Sequence, residues 1–287
     1  MIRENAPAKI NLALHVRRRR ADGYHDLETL FAFAQDGDVV TVEEAEADRF
    51  TITGPFAGVL LPGLTTPPAF AGEARWDGNL VTQAADAFTQ AFGVSRHHAI
   101  ALDKRLPIAS GIGGGSADAA ATLRALARLH AITLDDPRLQ AIAAGLGADV
   151  PACLLGRTTI GTGKGDSLVE IAGLPGTPLL LVNPGVAVST PAVFKAWDGE
   201  DRGPIPDGDL LARAASGRND LEPPARAIAP VIAEVRAVLD AGEGVVLARM
   251  SGSGATCFAL FDTVANRAAI AAIARTRGWW CLETALA

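Results

Sequence analysis

The residues best suited to do chemistry lie in one stretch, Pro107-Ile108-Ala109-Ser110-Gly111-Ile112-Gly113-Gly114-Gly115-Ser116-Ala117. Glycines let a backbone approach an anion closely. Where such a loop opens a helix, the first N–H groups point outward at the favourable end of the helix dipole. A phosphate suits that arrangement, with Ser116 placed to cap the helix or to turn its hydroxyl to a phosphate or a metal ion. A flexible glycine turn with an ordinary serine cap has the same letters, so the loop alone leaves both readings open. Rival motifs fail residue by residue. A dinucleotide fingerprint starting at Gly111 needs glycine where Ser116 stands, and a Walker A loop needs Ser or Thr where Gly165 follows Gly163-Lys164. His-Arg-Asp, Asp-Phe-Gly, Gly-x-Ser-x-Gly and His-Glu-x-x-His are all absent.

Outside the loop, 22 arginines stand against 4 lysines, which makes each lysine worth inspecting. Lys9 and Asn11 fall on one face of a strand, opposite Ile10, Leu12 and Leu14. Asp149 directly precedes Val150-Pro151, and the single tyrosine, Tyr24, adjoins His25. Taken singly, these have structural explanations: a strand-edge lysine, a solvent-facing asparagine, a helix cap and a half-buried tyrosine.

The elements that must position these groups alternate in type. Ala8–His15, Val39–Glu43 and Phe50–Thr53 read as strands, and residues 54–78, rich in Gly and Pro, as a long loop. Asn79 reads as the N-cap of a helix with Leu80, Ala84, Ala87 and Phe88 at helical spacing. A strand over His98–Leu106 leads into the glycine loop, followed by an alanine-rich helix through Leu129 and a second helix over Leu139–Leu146. Beyond Gly156 the reading is strands at Thr158–Ile160, Leu168–Ile171 and Leu179–Val182, then a connector over 199–208. A helix over Ile228–Leu239, strands over Val245–Met250 and Phe258–Phe261, and a final helix over 265–275 complete it. The class is α+β or mixed α/β, with a boundary near residue 157.

Composition narrows the function. The 287 residues are 49% hydrophobic and 20% charged, an ordinary globular balance, and the net charge of −6 gives no basic footprint for nucleic acid. The three cysteines, Cys153, Cys257 and Cys281, have no metal-site or disulfide spacing, which fits free thiols in a reducing compartment. Without a signal-type N-terminus or an apolar run of about 20 residues, the expectation is a cytoplasmic protein off the membrane.

Residues 107–117 resemble the central signature of the GHMP kinases (galactose, homoserine, mevalonate and phosphomevalonate kinases). Two further signatures follow the family's order, Ala6-Pro-Ala-Lys-Ile-Asn-Leu12 near the start and Met250-Ser-Gly-Ser-Gly-Ala255 near the end. Three ordered motifs are far more specific than any one of them. Gly23-Tyr-His25, Gly147-Ala-Asp-Val-Pro151, Asn183-Pro-Gly185 and Gly217-Arg-Asn-Asp-Leu-Glu222 extend the resemblance over nearly the whole chain. They resemble the members that act on a cytidine diphosphate-linked alcohol in non-mevalonate isoprenoid synthesis. The loop at 54–78 is longer than that group usually carries.

The resemblance implies an α+β, two-domain GHMP kinase fold. An N-terminal domain like domain 2 of ribosomal protein S5 would span 1–157 and a ferredoxin-like C-terminal domain 158–287, with the active site between them. It implies ATP as co-substrate, Mg²⁺ to neutralise the phosphates, a small-molecule acceptor and no obligate protein partner. Asp149 would take the hydroxyl proton, and Lys9 would hold Asp149 ionised and stabilise the transferring group, with Asn11 lining the same pocket. Tyr24 would stack on the cytosine, His25 bond its edge, Phe194 face it from the other side and Phe31 help close the pocket. An aromatic face beside a donor/acceptor side chain is what a nucleobase needs. Asn79 and Lys104 would lie near the nucleotide, Pro107–Ala117 would hold its phosphates, and Ser251–Gly254 would buttress that loop. The metal ligands stay unassigned apart from Ser116 and the phosphates. Two alternatives remain open: another kinase of the family, of homoserine or mevalonate type, and a non-catalytic nucleotide-binding protein. Lys9 with Asp149 speaks against the second, and Tyr24-His25 with Phe194 against the first.

Overall fold

In the computed structural model, residues 1–60, 72–74, 76 and 78–287 are described. The chain forms two compact units, each assembled from separate segments. Unit one is Met1–Ala8, Asp36–Ile108 and Gly113–Leu155; unit two is Lys9–Gln35, Ala109–Ile112 and Gly156–Ala287.

Two long paired strands, β1 (Ile2–Arg19) and β2 (His25–Ala45), contribute residues to both units. Within these two spans the sequence reading has strands only at 8–15 and 39–43. It missed the first half of β2 because Gln35-Asp36-Gly37-Asp38 looks like a turn. Gly37 instead permits a close approach inside unit one, where a Cβ would lie 1.9 Å from the Ala6 carbonyl oxygen. Next come β3 (Arg49–Thr53), α1 (Ala57–Leu60) and β4 (Gly72–Ala74). The expected structureless loop over 54–78 is therefore corrected at 57–60 and 72–74; the remainder of that expectation falls largely on residues 61–71, 75 and 77, outside the described residues.

Unit one continues with α2 (Leu80–Phe92), β5 (His97–Asp103), α3 (Gly114–Leu129), α4 (Pro137–Leu146) and α5 (Val150–Leu155). Asn79 caps α2 as its position suggested, its side chain accepting from the Val81 amide, and Gly93 ends that helix at φ 64°. β5 pairs antiparallel with Val39–Ala45 of β2 and parallel with β3, and ends at Asp103, earlier than expected. The inner face of α3 is largely alanine, with Ala117, Ala120 and Ala121 buried beside Leu123 and Leu126, so α2 and α5 can pack closely on it.

At one end of that layer, His98 of β5 and His130, which ends α3, meet Nε2 to Nε2 at 2.8 Å with rings edge to face. One nitrogen must donate and the other accept, so the contact needs at least one neutral ring. Burial lowers the proton affinity of both, with the neighbouring His130 adding to the effect on His98. The unfolded chain therefore binds more protons than the folded one below about pH 6.5, and stability present above that pH is lost on acidification. His130→Gln should flatten the fall in melting temperature between about pH 7.5 and pH 5.5. An unchanged slope in a folded His130→Gln protein would remove this pair from the acid response.

Unit two adds β6 (Thr159–Gly163), β7 (Ser167–Glu170), β8 (Pro178–Asn183), α6 (Thr190–Ala196), α7 (Leu210–Ser216), α8 (Glu222–Ile228), α9 (Val231–Asp240), β9 (Val245–Met250), β10 (Cys257–Phe261), α10 (Val264–Thr276) and β11 (Trp280–Ala285). β6 pairs with β7 and with Leu27–Phe31 of β2. The last four strands form an antiparallel sheet in the order β11-β8-β10-β9. With α9 between β8 and β9 and α10 between β10 and β11, this is a βαββαβ arrangement of ferredoxin type. Its core includes Leu180, Val182, Ile232, Val235, Leu239 and Ile270, residues of β8, α9 and α10 that expel water from the sheet face. The helix expected at 228–239 is α9 and starts three residues later, at Val231: Ile228 instead ends the separate helix α8, and Pro230, with no N–H to continue α8, stands at the start of α9.

Candidate active site

The glycine loop has residues Ala109–Ile112 in unit two and continues from Gly113 in unit one. In unit two, three successive carbonyls are held by protein donors. The Thr256 amide donates to Ser110 (3.1 Å), the Ser251 hydroxyl to Gly111 (2.9 Å) and the Lys9 amide to Ile112 (2.9 Å). Carbonyl oxygens that would repel a phosphate are thereby committed to the protein. Gly111 has φ 79°, and a Cβ there would lie 2.4 Å from the Ser251 carbonyl oxygen, so both conformation and space demand glycine. Ala109, at φ 50°, is a non-glycine residue in left-handed space, the kind of local strain that surrounding bonds sustain at binding loops. The Ser251–Gly254 turn thus contacts the loop, as the resemblance implied.

In unit one, α3 starts at Gly114, within the glycine run, and Gly113 is its N-cap at φ 65° with no side-chain cap bond. The expectation of Ser116 as a cap for this helix is corrected: the left-handed Gly113 takes the cap position, and Ser116 lies inside the first turn. An uncapped N-terminus on a 16-residue helix leaves first-turn N–H groups for a ligand.

Beneath Gly114 lies a buried ion network. A Cβ at that glycine would come 3.1 Å from the Lys104 Nζ, which sits between the carboxylates of Asp38 and Asp118, the latter at 2.6 Å. All three residues are buried. Asp38 also accepts from the amides of Arg105 (2.5 Å) and Leu106 (2.8 Å), the residues that lead into Pro107. Burial works against the Lys104 charge, yet Asp118 and Asp38 outweigh it and hold the ammonium more firmly protonated than a free lysine. Burial raises the Asp118 carboxyl, against the pull of Lys104. Asp38 and Asp118 were not found from sequence, since their partner is 66 and 14 residues away.

Lys9 is buried and donates to Asn11 Oδ1 at 3.0 Å. The amide of the Asn11 side chain donates to Thr29 Oγ1 (2.8 Å), whose hydroxyl donates to the Ala13 carbonyl (2.8 Å), so the relay fixes which Asn11 atom faces the lysine. The Lys9 ammonium is 5.3 Å from the Phe31 ring centre. Phe31 is itself buried, close to Gly161 and Gly165, and forms a wall below the lysine. Asp149, in unit one, stands half-buried just before α5, its carbonyl accepting from the Cys153 amide at 3.0 Å. Asn79, also in unit one, is engaged as the α2 cap.

The aromatic residues gather in unit two. His25 meets Phe194 of α6 with ring centres 4.8 Å apart, and Trp197 edge-on at 5.7 Å. Tyr24 is 55% exposed, and the Lys164 ammonium, on the β6–β7 turn, lies 5.0 Å from its ring centre. Trp197 and Lys164 were missed as neighbours of this cluster, although Trp197 follows Phe194 at helical spacing. Among the described residues no group of three or more His, Cys, Asp or Glu could hold a metal ion. Also among them, no helix is long and apolar enough to cross a membrane.

An anion loop at a helix start, a buried lysine behind it and a half-exposed aromatic cluster are the parts a small-molecule kinase needs. Residues 79–157 match the GHMP kinases N terminal domain and residues 205–278 the GHMP kinases C terminal domain. The chain belongs to the GHMP kinase family and has its two-domain α+β fold. Within that family it is 58% identical to the 4-diphosphocytidyl-2-C-methyl-D-erythritol kinase of Rhizorhabdus wittichii, over 99% of this chain and 94% of that protein. It is 48% identical to the enzyme of the same name from Sphingopyxis alaskensis, over 99% and 98% of the two chains. A crystal structure of 4-(cytidine 5'-diphospho)-2C-methyl-D-erythritol kinase shares 36% identity and superposes with a TM-score of 0.78, covering 99% of this chain and 98% of that one.

Proposed function

We propose that this chain transfers the γ-phosphoryl group of ATP to the 2-hydroxyl of 4-diphosphocytidyl-2-C-methyl-D-erythritol in non-mevalonate isoprenoid biosynthesis. The observation that carries this reading is the His25–Phe194 ring pair of unit two, which follows directly in sequence on the exposed ring of Tyr24. Such a cluster suits a flat base and has no use in a kinase for homoserine or mevalonate.

In this reading the loop from Pro107 to Ala117 cradles the ATP phosphates, with Asn79 toward the adenine side and Lys104 supporting the loop from below. Asp149 accepts the proton of the attacking hydroxyl. Lys9, oriented by Asn11, stabilises charge on the reacting oxygens, and transfer then rests on alignment and electrostatics. Mg²⁺ bound with ATP would supply charge neutralisation, and Ser116 would be the loop's own oxygen for it beside those of the phosphates. Tyr24 stacks on the cytosine and His25 bonds its edge, with Phe194 opposite and Phe31 closing the floor. The working domain boundary lies between 157 and 158, and the enzyme acts in the cytoplasm on a small molecule, without nucleic acid, membrane or an obligate protein partner.

The test separates the two substrates. Base–aromatic stacking is worth about 1–3 kcal/mol, so Tyr24→Ala should raise the acceptor KM by roughly 5- to 150-fold. The KM for ATP should stay unchanged, and Tyr24→Phe should be mild. Measured ADP release with and without the cytidine acceptor supplies the baseline. Small, equal effects on both substrates would defeat the cytidine assignment while leaving the kinase reading in place.

A further inference from the structure

We propose that Arg19 and Trp197 are positioning residues of the acceptor pocket, which together hold His25 against Phe194 and so preform the face that receives the base. The proposal rests on the reading of Tyr24, His25 and Phe194 given above.

Arg19 is the last residue of β1, and its Nη2 donates to the carbonyls of Lys195 (3.1 Å) and Trp197 (2.8 Å). α6 ends at Ala196 with Trp197 as its C-cap, so the guanidinium sits where a helix leaves carbonyls unpaired and negative. It also lies 6.0 Å from the Trp197 ring centre. A helix of 7 residues has little stability of its own, and this contact anchors its end. Trp197 is buried in the unit-two core. Phe194 and Trp197 are three apart and share a helix face, and between them they take His25 tilted at 4.8 Å and edge-on at 5.7 Å.

The polar atoms of the cluster bear on the state of that ring. Both His25 Nε2 and Trp197 Nε1 are buried without a hydrogen-bond partner among the described residues. An indole N–H can only donate, so the arrangement that leaves least unsatisfied keeps Nε2 as a lone pair and puts the proton on Nδ1. An imidazolium would bury a second unpaired donor. Burial lowers the His25 proton affinity, and the Arg19 charge lowers it further. Of the other charged groups on neighbouring elements, Lys195 on α6 and Lys164 on the β6–β7 turn are cationic. Asp26 is tied to Arg18 and Arg20, and Asp22 to Arg20. The clamp therefore keeps His25 neutral as well as in place.

Steady-state kinetics with ATP and 4-diphosphocytidyl-2-C-methyl-D-erythritol on Arg19→Met, Trp197→Leu and Trp197→Phe test this. Arg19 is exposed, so its replacement opens no core. Arg19→Met and Trp197→Leu should raise the acceptor KM about tenfold, the scale of a lost aromatic contact, with kcat and the KM for ATP unchanged. Trp197→Phe should recover most of the loss. In Arg19→Met, kcat/KM for the acceptor should fall more steeply from about pH 8 to about pH 6 than in wild type, because His25 gains its proton at higher pH. A wild-type acceptor KM and pH profile in Arg19→Met would overturn the proposal. So would a parallel loss of kcat and both KM values, or a Trp197→Phe enzyme as impaired as Trp197→Leu. Failure of the underlying reading looks different: wild type would not phosphorylate the cytidine acceptor, or Tyr24→Ala would leave its KM alone.

Discussion

Asp149→Asn is expected to lower turnover by at least about 100-fold while leaving the protein folded, the low end of what a positioned general base contributes. The substitution keeps the shape of the side chain and its place ahead of α5, where the Asp149 carbonyl still accepts from the Cys153 amide. What it removes is the ability to accept a proton as a carboxylate. Circular dichroism and thermal melting should match wild type, the KM values should move little, and the loss should fall on kcat. Near-wild-type turnover in a folded Asp149→Asn protein would take the base role away from this residue.

The second large effect concerns stability. Lys104→Met should destabilise the protein by about 3–5 kcal/mol, because it leaves the buried carboxylates of Asp38 and Asp118 without their cation. Replacing all three groups by Lys104→Met with Asp38→Asn and Asp118→Asn should recover part of that loss, since no uncompensated charge then remains. Denaturant midpoints at neutral pH give the comparison. A single Lys104→Met variant within about 1 kcal/mol of wild type would mean that water or rearrangement already satisfies the carboxylates. The KM for ATP should rise in the same variant, because Asp38 also holds the amides of Arg105 and Leu106 at the entrance to the loop.

What the sequence disclosed follows a physical division. Local signals carried well: Asn79 caps α2, the helix read at 139–146 ends at Gly147, and the continuous apolar run Leu179–Val182 is a central strand of its sheet. Elements whose logic lies elsewhere in the chain were missed or misjudged. The turn-like Asp36-Gly37-Asp38 is strand because Ala6 passes so close and because Asp38 faces a lysine from β5's exit. β11 was not recognised, since its mixed Trp-Cys-Leu-Glu-Thr composition becomes strand only by pairing with β8. The short α6 and α7, each headed by a side-chain cap at Ser189 and Asp209, lacked enough turns to show a period.

The site divides in the same way. The letters of residues 107–117 were sufficient to suggest a phosphate, yet they placed the serine, and not Gly113, at the cap. Tyr24, His25 and Phe194 came from the resemblance; their neighbours Trp197, Arg19 and Lys164 come from tertiary contact alone. Asn11 was placed beside Lys9 by strand alternation, and the hydrogen bond between them agrees.

The clasp on Gly111 bears on how portable the motif is. Its conformation depends on a hydroxyl and a turn some 140 residues further along, at Ser251–Gly254, and on the amide of Thr256. A peptide carrying residues 107–117, or a graft of them onto another strand–helix junction, would transfer the glycines without the donors that turn their carbonyls away from the anion. The loop is thus a property of the whole chain rather than a module, and a shortened protein ending before residue 251 would keep the signature and lose the cradle.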